Sequence, residues 1–322
     1  MKKLFKSLFI LLLVVFQLII WQSCVEHSVF VQIDPGGDYQ FNYYSHGDLT
    51  DLNDFDFPIP AGEKWLTELT FDKENESHKY FASKSFVAGE NPPSSFFRGD
   101  SIYSTSLLQH PLSFKVRNWY FQKTYEFKWT FLSREVSSKY PKMKHILEGG
   151  ESYPGWSVEV LSYLFRDCLL RIDVGFNQSA IITRELDFWL ESAVNQLADS
   201  TLQENYQNLK FDGIELLKTT LGPSFHHRID SVFKQLEDES RVTLGLVDDK
   251  FEFLLLIPGE LAESNADTSY ADTLSWSFNV NYFEDSDYEI YAVSHVVNHR
   301  RYKYLFGGIL IIVLLITWRF IR

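Results

Sequence analysis

The stretch Phe251–Phe278, FEFLLLIPGELAESNADTSYADTLSWSF, decides how this chain folds. Phe251–Ile257 is an apolar and aromatic run of strand length. Pro258-Gly259 stops it, because proline has no N–H for a sheet ladder and glycine accepts a positive φ. Asn265 and Asp267 carry the short polar side chains of a turn. Thr273–Tyr282 reads as a second strand. In it Trp276 and Phe278 alternate with Ser275 and Ser277, so the aromatic pair faces a core and the serines face away. Tyr288–Val297 reads as the next strand. In this reading Pro258, Gly259, Asn265, Trp276 and Phe278 have structural roles, turning the chain or filling its interior.

Upstream, residues 28–134 also read as β. Ser28–Asp34 and Asp38–Tyr44 alternate around the turn signal Pro35-Gly36-Gly37, which predicts a hairpin. Lys64–Phe71 and Lys79–Val87 predict two more strands. Phe114–Leu132, rich in aromatics and threonine with Lys123, Glu126 and Lys128 interleaved, predicts one or two long ones. Residues 156–239 change period. Val158, Leu161, Leu164, Phe165, Cys168, Leu169 and Ile172 recur at three and four, as do Ile182, Leu186, Trp189, Ala193 and Leu197. Asp212 and Glu215 have the spacing of a capping box ahead of Leu216-Leu217, and Gly222-Pro223 ends that helix. Ser224 is placed to cap the next, whose apolar face is Phe225, Ile229, Val232, Phe233 and Leu236. A return to β begins with Val242–Leu246. This order, β then helices then β, defines an α+β class. An antiparallel sheet or sandwich is built from both halves of residues 25–300, with a helical insert. The boundaries are 25–150 for the first β-rich part, 151–240 for the insert, and 241–300 for the part that completes the sheet.

Both ends are hydrophobic. Leu305–Trp318 carries no charge, with Tyr302, Tyr304, Trp318 and Phe320 at its borders and basic residues outside them. That is a transmembrane helix with its aromatic belt, spanning 302–321. Lys2, Lys3 and Lys6 precede the apolar run Leu8–Trp21, and Ser23-Cys24 follows, the arrangement of a lipoprotein signal over residues 1–24 with Cys24 as the lipidated residue. The same stretch also suits an uncleaved anchor or ordinary cleavage. With two hydrophobic ends the termini lie on one side. Lys2, Lys3, Lys6, Arg319 and Arg322 outweigh Arg300, Arg301 and Lys303, which puts the tails in the cytoplasm and residues 25–303 outside.

The strand ending in Pro258-Gly259, then Asn265-Ala266-Asp267, then Asp272-Thr273-Leu274-Ser275-Trp276-Ser277-Phe278, followed by a last strand running into the membrane helix, resembles the C-terminal part of LppM-like domains of bacterial envelope lipoproteins. In those a PG…N…NTLTWTF stretch closes a β-rich fold ahead of a C-terminal membrane helix. The resemblance covers about 60 residues of the last β-segment and the end architecture, not the whole chain. It implies a β-rich envelope domain and assigns no activity, and the helical block is not part of it.

Charge and motifs bound the function. Of 43 acidic and 30 basic residues, all the acidic ones and 25 of the basic ones lie between the two ends. So acidic an exterior argues against nucleic acid as a partner. No GxSxG, HExxH, paired CxxC, P-loop or GxGxxG occurs, and no cofactor is implied. His226 and His227 are adjacent and so diverge on a helix, a poor metal pair. Asp48, Asp51, Asp54 and Asp56 crowd one loop but lack the glycine and terminal glutamate of a calcium loop. Cys24 and Cys168 are the two cysteines, Cys168 in a run that reads as buried. The reading that follows is a non-catalytic, membrane-anchored envelope protein that binds a protein or lipid partner or an apolar ligand. The alternative is an envelope hydrolase using carboxylates between sheet and helices.

Overall fold

A computed structural model describes residues 25–50, 52, 57, 59–62, 64–73, 76–91, 110–147, 156–194, 202–246, 249–270 and 272–321. The N-terminal segment 1–24, including Cys24, lies outside the described residues, as do Asp51, Asp54 and Asp56 of the acidic loop.

Eleven strands among the described residues form two sheets. The first half of the chain supplies β1 (Glu26–Ile33), β2 (Tyr39–Gly47), β3 (Leu66–Asp72), β4 (Ser77–Phe86), β5 (Leu112–Asn118) and β6 (Gln122–Phe131). The second half supplies β7 (Lys250–Leu256), β8 (Glu260–Ser264), β9 (Thr268–Tyr270), β10 (Thr273–Phe278) and β11 (Tyr288–Val297). The larger sheet has the order β3-β4-β2-β1-β7-β10-β9, and the smaller β5-β6-β11-β8. Each sheet therefore needs both halves of the chain. The joint in the larger sheet is β1 against β7, its one parallel pairing, with Val31 opposite Leu255. In the smaller it is β6 against β11, antiparallel along ten residues.

The alternation read from the sequence is the alternation that packs. His27, Val29, Val31 and Ile33 of β1 face inward, as do Phe251, Phe253 and Leu255 of β7. The two sheets meet through aromatic rings. Phe127 stacks on Phe253 at 5.3 Å, Trp129 meets the same ring edge-on at 5.5 Å, and Phe131 meets Phe278 at 4.8 Å. Offset and edge-on pairs at such distances are the favoured aromatic geometries. Phe114–Leu132 resolves into two strands, with Trp119–Phe121 as the turn between them.

The helical block lies between β6 and β7. It comprises α1 (Val136–Lys139), α2 (Pro141–Leu147), α3 (Trp156–Arg171), α4 (Phe176–Val194), α5 (Leu202–Leu221) and α6 (His226–Gly245). Its first turns fall within the stretch read as the β-rich part 25–150. Three further expectations are corrected. Asp212 and Glu215 lie in the middle of α5, not at a start, because the helix begins ten residues earlier and Leu209 and Leu217 continue one buried face. Ser224 caps nothing. It sits in a single 3-10 turn, Pro223–Phe225, and α6 starts at His226 with no side-chain cap. Val242–Leu246 is the end of α6, not a strand.

Phe165 is the centre of the block. Its ring meets Phe233 of α6 at 5.3 Å and Trp189 of α4 at 6.4 Å. On α5, Gly213 lies so close that a Cβ there would stand 2.1 Å from the Phe165 Cζ. The block is tied to the sheets at the β10–β11 connection. The Arg134 N–H donates to the Phe283 carbonyl at 3.0 Å and the Val136 N–H to that of Glu284 at 2.9 Å. Lys144 pairs with Glu284 at 2.9 Å and Asp285 at 2.7 Å. Burial would raise the Asp285 carboxyl, but hydrogen bonds from Lys144 and Ser137 outweigh it and hold the group at about 2.

The last element, α7 (His299–Ile321), follows β11 after one residue. Its segment His299–Arg319, 21 residues with none buried, is long and apolar enough to cross a membrane by length and composition.

Candidate ligand-binding cleft

The helices of the block leave a half-open cleft of about 300 Å³. One wall is the start of α3, with Trp156, Ser157 and Val160. The second is Tyr206 and Gln207 of α5. The floor is one face of α6, where Glu237, Ser240, Arg241 and Leu244 recur at three and four residues. Residues at that spacing share a helix face. Val160, Ser157 and Ser240 are buried, so the inner wall is fixed by packing. Ser240 donates its hydroxyl to the Glu237 carbonyl at 2.9 Å, the local bond that lets a serine occupy an apolar stripe.

The polar end is an ion pair. Lys210 donates to both Glu237 oxygens, at 2.7 and 2.9 Å. Burial, and then the charge of Glu237, push the Tyr206 phenol well above its usual range, so it keeps its proton. The cleft thus joins two aromatic side chains to a paired charge and an exposed arginine. Its volume is at the lower edge of small-molecule sites, and its mixture of apolar wall and few polar groups is theirs too. Among the described residues, its single carboxylate is Glu237. Paired-carboxylate hydrolysis needs two facing carboxyl groups, sharing a proton in one mode or about 5–9.5 Å apart in glycoside hydrolysis. A second hollow, of about 510 Å³, lies over the larger sheet between Tyr44, Phe81, Glu26, Glu68 and Lys79.

The residues singled out from sequence lie elsewhere. Trp276 is fully buried against Phe253, and its Nε1–H donates to the Asn265 Oδ1 at 3.0 Å. The same oxygen accepts the Tyr291 N–H at 2.9 Å, and the Asn265 amide donates to the Glu289 carbonyl. Asn265 is thus a clasp between β10 of one sheet and β11 of the other. Phe278 is buried in the aromatic seam. Gly259 has φ +97°, and a Cβ there would stand 2.4 Å from the His295 carbonyl oxygen, so only glycine fits. The Pro258 carbonyl accepts the Ser294 hydroxyl at 2.8 Å. These five residues build the sandwich and do not line the cleft.

Cys168 is a buried free thiol, pushed up to about 12 chiefly by burial. Asp48 accepts the Thr50 N–H at 2.6 Å within its own turn. Among the described residues, no group of three or more His, Cys, Asp or Glu could hold a metal ion. His27 of β1 joins Tyr43 of β2 to Asp249, the residue before β7. Its Nδ1 lies 2.6 Å from the Tyr43 hydroxyl and its Nε2 3.0 Å from the Asp249 carboxylate, all three side chains buried. The trio ties β1, β2 and the start of β7 together inside the fold.

Together these features define an α+β protein of two packed sheets, an inserted helical block with a cleft, and an apolar C-terminal helix. Comparison with protein families and with curated proteins finds no match. Among solved structures, the chain is similar to the folded domain of LppM from Mycobacterium tuberculosis, determined by NMR. The identity is 7% and the TM-score 0.32, over 87% of this chain and 94% of that one. That is a weak likeness of fold alone.

Proposed function

We propose that this chain is a non-catalytic, membrane-anchored envelope protein whose helical block binds a small amphipathic ligand. The observation that carries this is the cleft between α3, α5 and α6. It has a fixed apolar wall at Trp156 and Val160 and a polar end at the Lys210–Glu237 pair. The exposed apolar face of α7 all round supports the anchor, since a water-soluble helix would hide one side. In this reading residues 25–303 are extracytoplasmic. Protease added to spheroplasts digests them, and protection of the whole segment counts against it. The second anchor is lipid on Cys24, which mass spectrometry of the mature chain would find as an acylated N-terminal cysteine.

The ligand site is tested with the full chain in detergent micelles, screened by ligand-observed NMR against small aromatic and alkyl compounds bearing one charged group. Binders should lose their contact signal in Ser240→Trp, which fills the cleft, and in Glu237→Gln when they carry a positive charge. Equal binding to wild type and Ser240→Trp would remove the cleft as the site. The carboxylate-hydrolase alternative has less support, because Glu237 is engaged by Lys210 and no second carboxylate stands among the described lining residues.

A further inference from the structure

We propose that the tip of the β5–β6 hairpin, Trp119-Tyr120, is a foot that seats in the headgroup layer of the bilayer entered by α7. This rests on the reading of α7 as a membrane span. The hairpin closes tightly, the Trp119 N–H donating to the Gln122 carbonyl at 2.8 Å. Tight turns ordinarily use Gly, Asn, Asp, Pro or Ser. Here three aromatics stand in a row, and Trp119 and Tyr120 are 68% and 65% exposed.

Phe121 explains where the tip points. Its ring stacks on Tyr302 of α7 at 4.6 Å, and its carbonyl accepts the Asn298 N–H at 2.8 Å. Arg301 donates to the Tyr120 carbonyl at 2.8 Å and lies 5.0 Å from the Tyr120 ring centre. The tip is therefore clamped to the first turn of α7. Tyr302 precedes the uncharged run at Leu305 by three residues, about 4.5 Å at 1.5 Å per residue. A Trp and a Tyr held there stand at the depth where amphipathic rings are favoured, apolar body in and polar edge out. Arg300, Arg301 and Lys303, exposed on the same turn, match lipid phosphates in charge.

The foot gives the anchor an orientation. A single helix lets a domain tilt and swing, whereas a helix and a clamped hairpin make two contacts. β6 then leads away from the bilayer for ten residues, about 30 Å at 3.3 Å each. The helical block is tied to the β10–β11 connection, at the end of β6 and β11 away from the foot.

The test uses the full chain in phosphatidylcholine liposomes, with and without bromine near the top of the acyl chains. Bromine quenches only nearby indoles. The emission of one tryptophan is obtained as wild type minus variant, for Trp119→Phe and for Trp318→Phe. The expected result is that brominated lipid removes both shares. If the Trp318 share is quenched and the Trp119 share is not, the foot is refuted and the span stands. If neither is quenched, the span is refuted and the foot with it. If Trp119 is shielded from brominated lipid and also from aqueous iodide, the tip is covered by protein, a second copy or a partner, and the proposal fails.

Discussion

Gly213→Ala sets two well-characterised effects against each other. In an exposed helix interior, alanine is better than glycine by about 0.8–1.0 kcal/mol, because glycine loses more backbone freedom. On that ground alone the variant should be more stable. The packing of α5 on α3 opposes it. The new Cβ would stand 2.1 Å from Phe165 Cζ and 2.8 and 2.9 Å from its two Cε atoms. The ring cannot swing aside, since it is buried against Phe233 and Trp189. The helices must separate instead. Forcing a methyl into a filled core costs about 1–3 kcal/mol, and so tight a contact belongs in the upper half of that range. Subtracting the helix gain leaves a net loss of about 1–2 kcal/mol. The assay is urea unfolding of the full chain in detergent, followed by Trp fluorescence. Phe165→Leu shortens the ring that clashes, so the double variant should cost less than the sum of the singles by at least about 0.5 kcal/mol. If Gly213→Ala stabilises the protein by about 1 kcal/mol, the close approach of α5 to α3 is wrong.

Trp276→Ala should cost about 3–5 kcal/mol, since it empties a fully buried site. Ser277→Ala on the exposed face should stay within about ±0.5 kcal/mol by urea midpoint, and the reverse ranking would mean a register slip of one residue. His110 should make the protein acid-sensitive. Burial, and then the nearby charge of Arg134, push its pKa well below the ordinary histidine value, and its ring nitrogens have no hydrogen-bond partner among the described residues. The unfolded chain then takes up a proton below about pH 6.5 that the folded chain refuses. Stability is full above that pH and falls as pH drops, by about 1.4 kcal/mol per pH unit for one proton. Denaturation midpoints at neutral pH and near pH 5 should therefore differ less in His110→Phe than in wild type, and an unchanged difference would clear His110 of the effect.

The strands were legible because their signal has a period of two and one wet face. Trp276 and Phe278 against Ser275 and Ser277 can be placed on a pleat with no knowledge of the partner strand. The clasp through Asn265 was half legible. Its turn-forming character is local, but its bonds to Trp276, Tyr291 and Glu289 join segments that nothing in the sequence orders in space. Val242–Leu246 was misread because a short, partly β-branched apolar run fits a strand and a buried helix end equally. What decides it is the stripe of α6, which after Leu236 continues through the buried residues Ser240 and Thr243. Their hydroxyls are spent on the carbonyls of Glu237 and Glu239, so they pack as small apolar groups while counting as polar. A tally of apolar residues loses the helix at that point. The Asp212–Glu215 pair failed for a related reason, since an acidic pair three apart is as much at home on a wet mid-helix face as at a cap.

The functional features share one cause of illegibility. The cleft exists where the stripes of α3, α5 and α6 do not quite meet, so it is a property of three helices and of none separately. Glu237, Ser240, Arg241 and Leu244 look like an ordinary border between apolar and polar faces until Trp156 and Tyr206 are set opposite them. Trp119 and Tyr120 were hidden by the opposite route. Their strong β-propensity left them inside a stretch that reads as one or two long strands, with nothing to mark them as the turn. An aromatic turn in water is an unsatisfied arrangement, and it becomes intelligible only beside Tyr302 and the apolar helix that follows. In both places the informative residue is one whose local chemistry disagrees with its local structure. The disagreement is resolved by residues distant in sequence, Trp156 and Tyr206 for the cleft and Tyr302 for the turn.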